Sequence, residues 1–261
     1  MKHINEEVGY YHPRTAEQSG AFSGIIVREL VNMNGTLATH LRDGTVAYDF
    51  DVNVSDGVSE HTTDLVIGSP SSKPLGIRIG VPIRARINTS DYRVLIDHKS
   101  VVTAHRNRLN RLRDFKELAS HANAYNRKAI VGGTLLLGTS RRYLSVETVG
   151  RVLSARGQRD RTDYWRKRML KNDKELVAEF ESTDAMTENS EVDPGNTFNV
   201  FMKELPMRRS DQEKGFDAFA VIPVLIDNIG PCRLDEASFP HNEKSYTKFM
   251  DDIVRCYDAR F

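Results

Sequence analysis

Asp97-His98-Lys99 is the part of this sequence whose residue types and spacing carry chemistry. It closes the run Asp91-Tyr92-Arg93-Val94-Leu95-Ile96, which reads as a buried strand. Side chains alternate along a strand, so Leu95, Asp97 and Lys99 share one face while Val94, Ile96 and His98 share the other. An acid and an amine therefore project side by side at the polar end of an apolar element. Burying them costs on the order of several kcal/mol per ion unless they are paired, solvated or metal-bound. A strand-end ion pair accounts for an isolated Asp-x-Lys. A second acid in a like position changes the reading: Thr62-Thr63-Asp64-Leu65-Val66-Ile67-Gly68 sets Asp64 just before another apolar run.

The elements around these residues come in a definite order. An acid sits on one strand and Asp-x-Lys on a later strand. A long helical stretch, Thr103 to Lys128, follows, and then an apolar strand, Ala129 to Gly138. This order resembles the core of the PD-(D/E)XK nucleases, the family of many type II restriction endonucleases, over about residues 14–138. The resemblance implies that Asp64 and Asp97 bind Mg²⁺, with the carbonyl of His98 as a third ligand. It implies that Lys99 positions or activates the attacking water. An ion that keeps several waters and takes only one or two carboxylates suits a site with so few acids. The family pattern often joins its two acidic strands by a near-direct hairpin, whereas Asp64 and Asp97 stand 33 positions apart, so an insertion is expected. Asp56 and Glu60 are alternatives for the first acid; Asp64 is preferred because it abuts Leu65-Val66-Ile67.

Pro13 and Thr15 precede an expected helix running to about Asn34, where Asn34-Gly35 supplies a stop. Its apolar stripe is Phe22, Ile25, Ile26, Leu30 and Met33. Glu29 falls within that stripe. Since many nucleases of the family carry a glutamate on the first core helix, Glu29 is a third acidic candidate, with Glu17 its competitor. Thr45 to Val54 reads as a strand, and Leu75 to Ile87 as one or two more, interrupted by Pro82. Gly132-Gly133 is followed by an apolar run and no Gly-Lys-Ser/Thr, so it reads as buried strand, not phosphate loop. Phe216 to Ile226 is expected as a strand whose Pro223 places it at an edge or bulge. Ser245 to Arg260 is expected as a closing helix with Phe249, Ile253, Val254 and Tyr257 inward.

Composition sets the outer bounds. With 39% hydrophobic and 28% charged residues, the 261-residue chain suits a globular protein. No apolar run approaches the roughly 20 residues needed to span a bilayer. The N-terminal residues lack the apolar stretch of a signal peptide. Cys232 and Cys256 are too few for a disulfide framework or a Cys-rich zinc site. A cytoplasmic protein without a membrane partner is the expectation. A net charge of +1 conceals asymmetry: Lys99 to Asn172 holds eighteen Lys/Arg against five Asp/Glu, and Asp173 to Asp193 eight acids against Lys174 alone. The basic block suggests phosphate contacts from Arg106, Arg108, Arg111 and Arg113 on one helix. Arg166, Lys167 and Arg168 beside Tyr164 and Trp165 would add more. The acidic stretch reads as exposed and mobile up to Asp193-Pro194-Gly195.

The expected architecture is therefore α/β (α+β): a central mixed sheet flanked by helices, in one domain over 1–261. A basic/acidic helical insertion is placed at about 150–200, and a C-terminal strand and helix at about 215–261. The function expected from the resemblance is a Mg²⁺-dependent endonuclease on double-stranded DNA, acting as a homodimer. The alternative is a non-catalytic nucleic-acid-binding or defence-complex subunit.

Overall fold

The computed structural model describes residues 16–55, 59–72, 81–102, 107–144, 186–226 and 233–261, together with 154, 155 and 157. Phe22, Ile25, Ile26 and Leu30 form the buried stripe of helix α1 (Ala16–Asn32). The chain then turns directly into a short helix α2 (Thr36–Asp43) that the sequence pattern did not suggest. Gly35 permits this junction: its φ is 137°, and a Cβ there would meet Val254 and the Asp258 carboxylate.

Three strands follow, β1 (Ala47–Ser55), β2 (Glu60–Pro70) and β3 (Ile87–Val101). They pair antiparallel in sequence order. β3 starts at Ile87, four residues earlier than the apolar run suggested. The expected insertion between the acidic strands is present. Its described part, 81–86, lies against β1 through a single bridge from Arg84 to Tyr48, with Ala85 and Ile83 exchanging backbone hydrogen bonds with Tyr48. It forms no strand of its own there, and 73–80 lie outside the described residues. Helix α3 (Arg108–Tyr125) leads into β4 (Ile130–Gly138), which lies parallel to β3.

β5 (Arg142–Leu144) pairs with β6 (Met186–Glu188) in a small separate sheet. Most of the acidic stretch expected to be exposed and mobile, 173–185, lies outside the described residues; its end is structured, since Asp193 opens helix α4 (Asp193–Glu204). An acid in the first turn and proline near the helix start favour that N-terminus. β7 (Ala218–Leu225) runs parallel to β4, and β8 (Arg233–Leu234) caps it over two residues. Pro223 sits on this nearly uncovered side, where its carbonyl accepts from Asp235 N–H and no ladder donor is needed. Helix α5 (Tyr246–Arg260) closes the fold with Phe249, Ile253, Val254 and Tyr257 buried; Ser245 Oγ caps it by accepting from Lys248 N–H at 3.3 Å.

The result is a six-stranded mixed sheet, β1-β2-β3-β4-β7-β8, with helices on both faces. On one face α1, α2 and α5 cover Leu65, Ile67, Val94, Ile96 and Ile222. On the other α3 and α4 cover Val66, Leu95, Val131, Leu135 and Phe219. Gly132 and Gly133 allow both layers to close on central β4. A Cβ at Gly132 would press on Ile96 and Phe249, and one at Gly133 on the Phe219 ring at 2.8 Å. They are buried strand residues, not a phosphate loop. Among the described residues no helix is long and apolar enough to cross a membrane.

Candidate functional site

The antiparallel register pairs Leu65 with Ile96, so one step further Asp64 stands opposite Asp97. Directly facing residues hold their Cβ atoms about 4.5–5.5 Å apart on one face of the sheet. The two carboxyl groups are in hydrogen-bond contact. Asp97 is fully buried and Asp64 half-buried. Parallel pairing puts Gly133 on the other side of Asp97 and Leu135 beside Lys99. Asp97 thus lies between β4 on one side and β2 on the other.

Four contacts shape the pair. Lys99 Nζ donates to Asp97, 2.8 Å from Oδ1 and 2.6 Å from Oδ2. His61 Nε2, from β2, lies 3.4 Å from Asp97 Oδ2. The backbone N–H of His98 donates to Asp64 Oδ2 at 2.6 Å. The fourth contact is that between the carboxyls themselves. Burial, aided by the Asp97 carboxylate, pushes Asp64 up to about 8, against the opposing pull of the His98 N–H and of Lys99. Burial also works to raise Asp97, yet hydrogen bonds with His61 and Asp64, together with the charge of Lys99, hold it well below the ordinary carboxylate range. Near neutral pH the metal-free pair therefore keeps one proton, on Asp64, and one negative charge, on Asp97.

His61 was missed in the sequence, although its place on the Asp64 strand was a usable signal. A second histidine accompanies it: His121 of α3 lies with its ring 6.3 Å from that of His61. Its Nδ1 donates to the Glu117 carbonyl at 2.6 Å, which leaves Nε2 to accept from Ser59 Oγ at 2.6 Å.

The remaining candidates are not gathered around the pair. Glu29 is exposed on α1, on the helix layer of the opposite face, and accepts from the Tyr246 hydroxyl at 2.7 Å. Its position at the edge of the apolar stripe explains why periodicity alone placed it inward. Glu60 is exposed at the start of β2, while the side chain of Glu17, and Asp56, lie outside the described residues. Arg111 and Arg113 spend part of their charge within α3, on Asp114 at 3.1 Å and Glu117 at 3.7 Å. Arg108 turns toward α4, where it lines a groove of about 340 Å³ with Asn196, Asn199, Val200, Lys203 and Glu204. Arg106, Arg166, Lys167 and Arg168 lie outside the described residues.

A pair of contacting carboxylates, one held neutral by burial and by its neighbour, is a set of hard oxygen donors with surplus negative charge once Asp64 ionises. Such donors suit Mg²⁺. Among the described residues no group of three or more His, Cys, Asp or Glu side chains is arranged to hold a metal ion. The chain matches no family model, no curated protein and no solved structure.

Proposed function

We propose that the chain is a Mg²⁺-dependent endonuclease that hydrolyses phosphodiester bonds of double-stranded DNA, in the manner of a restriction enzyme. The observation that carries this reading is the meeting of Asp64, Asp97 and Lys99 across two adjacent strands that lie 33 positions apart in sequence. The order acid-bearing strand, Asp-x-Lys strand, helix, parallel strand supports it too. Asp64 and Asp97 would hold the ion, with the His98 carbonyl as a further ligand by resemblance. When bound, the ion would polarise the phosphate and lower the pKa of a water. Asp64 would bind the ion as a carboxylate, its proton passing to solvent. Lys99 would orient the attacking water and offset charge developing on the phosphate. The arginines of α3 supply sequence-independent affinity for the backbone, and a second copy of the chain serves the opposite strand.

A second reading, a nucleic-acid-binding or defence-complex subunit without catalysis, draws on one observation: Lys99 Nζ engages both oxygens of Asp97 as a closed ion pair. Plasmid DNA separates the two. The nuclease reading expects cleavage by the wild-type chain with Mg²⁺ and none with EDTA. Lys99→Ala should stay folded, bind DNA and Mg²⁺, and lose about 10²–10³-fold in rate. Full cleavage by a folded Lys99→Ala protein, or metal-independent cleavage, removes the assignment at this site.

A further inference from the structure

We propose that Ser23, His98 and Thr134 are positioning residues that hold the two carboxylates in register from the opposite face of the sheet. The proposal rests on the reading that Asp64 and Asp97 bind a divalent cation, and it concerns side chains that touch neither the ion nor the substrate.

His98 is the middle residue of Asp-x-Lys and works on both faces at once. Its backbone N–H grips Asp64 Oδ2 at 2.6 Å on the side of the acids. Its imidazole points to the other face, where the Phe22 ring lies 4.8 Å away. Although part of the residue reaches solvent, both ring nitrogens are occupied: Nε2 lies 3.0 Å from Ser23 Oγ of α1 and Nδ1 2.7 Å from Thr134 Oγ1 of β4. Ser23 and Thr134 are completely buried.

Ser23 Oγ also reaches the carbonyl oxygen of Asp64 at 3.4 Å. A hydroxyl both donates and accepts, so Ser23 and Thr134 can each meet their ring nitrogen in either tautomer of the imidazole. The resulting line runs from the backbone of Asp64 through Ser23 and His98 to Thr134, and so ties β2, β3 and β4 together behind the acids. Register pairing sets Thr134 directly beside His98.

Shape alone would be satisfied there by apolar side chains, as along the rest of this face. A buried hydroxyl is costly unless it is hydrogen-bonded, and two of them converge on one imidazole whose own amide holds a proposed metal ligand. Partners of this kind fix ligands to within about 0.5 Å, and their loss typically costs about 10–100-fold in metal affinity or activity.

The test uses the full chain and Mn²⁺ as the probe, with binding followed by electron paramagnetic resonance well below the melting temperature. The wild type is expected to bind. Thr134→Val should bind Mn²⁺ about 10–100-fold more weakly, whereas Thr134→Ser, which keeps the hydroxyl, should retain wild-type affinity. Should Thr134→Val fail to fold, Ser23→Ala is expected to weaken binding in the same range. Wild-type affinity in a folded Thr134→Val or Ser23→Ala chain overturns the proposal. Absence of Mn²⁺ binding by the wild type instead removes the underlying metal reading, and this proposal with it.

Discussion

Two buried acid sites sit on the same sheet and are built in opposite senses. Asp217, just before β7, is one carboxylate among an excess of donors. Arg208 meets it from two nitrogens, 2.8 Å to Oδ1 and 2.5 Å to Oδ2. Arg260 adds a further bond to Oδ1, and Val131 N–H donates to Oδ2 at 2.9 Å. Arg208, its side chain wholly hidden, also binds the Asn123 amide oxygen and the carbonyls of Arg127 and Ala129. The Asp64–Asp97 site reverses the ratio: two carboxyls in contact share the one amine of Lys99, the His98 N–H and His61 Nε2. Two like charges about 5 Å apart repel by about 3 kcal/mol at an effective dielectric of about 20. The structure meets that cost by keeping Asp64 protonated. A closed, oversupplied carboxylate fastens β4, β7 and α5 together, while an undersupplied pair is left with a demand that a cation can satisfy.

The largest expected effect separates the two sites by activity. Asp64→Asn replaces a carboxyl that is already neutral at pH 7, so metal-free stability should change by less than about 1 kcal/mol. Cleavage should nevertheless fall by roughly 10³-fold, because an amide cannot become the charged ligand. Thermal melts beside a Mg²⁺ plasmid assay check both halves, and a large loss of stability would erase the contrast with Asp217.

Arg208→Met is the converse. Removing one partner of a buried, hydrogen-bonded pair should lower unfolding free energy by about 3–5 kcal/mol. Denaturant titration should show this, while cleavage per folded molecule stays at the wild-type rate. A selective loss of rate would mean that the Asp217 cluster serves the site as well.

A smaller effect is set by pH. Asp64 ionises near 3.8 in the unfolded chain and at about 8 in the folded one. Between those values the folded protein holds a proton that the unfolded chain has released, so metal-free stability should decline as pH rises from about 4 to about 8. Asp97 has the opposite sign: its contribution is in place above the ordinary carboxylate range and is lost as pH falls below it. Saturating Mg²⁺ should flatten the Asp64 decline and, below about pH 8, release about one proton per ion bound. Melting curves across pH with and without Mg²⁺ test this. An unchanged slope in Mg²⁺ would show that the ion does not displace that proton.

The smallest effect belongs to the helix arginines. Arg108→Ala with Arg113→Ala should weaken binding to all DNA sequences alike and reduce the salt slope by about one per lost phosphate contact. Internal pairing of Arg113 with Glu117 makes its share the lesser. Unchanged slopes would leave both residues to solubility.

What the sequence determined by itself is what local periodicity encodes. Alternation put Asp97 and Lys99 on one face and His98 on the other, and the apolar runs marked β2, β3, β4, β7 and α5 at nearly their true bounds. The junction of α1 and α2 was beyond that signal, because the Val254 and Asp258 side chains that leave no room for a Cβ at Gly35 come from the distant C-terminal helix. Helix α4 was masked by the acidic stretch that leads into it. Glu29 showed the limit of a stripe, since one step of helical rotation at its edge separates core from solvent. Only the tertiary structure decided that Asp64, Asp97 and His61 meet, that Asp64 keeps its proton, and that Ser23 and Thr134 stand behind His98. Those facts depend on strand register and on contacts 34 to 75 positions apart along the chain, a separation over which no local spacing carries information, because the intervening chain is free to vary in length while the sheet register is not.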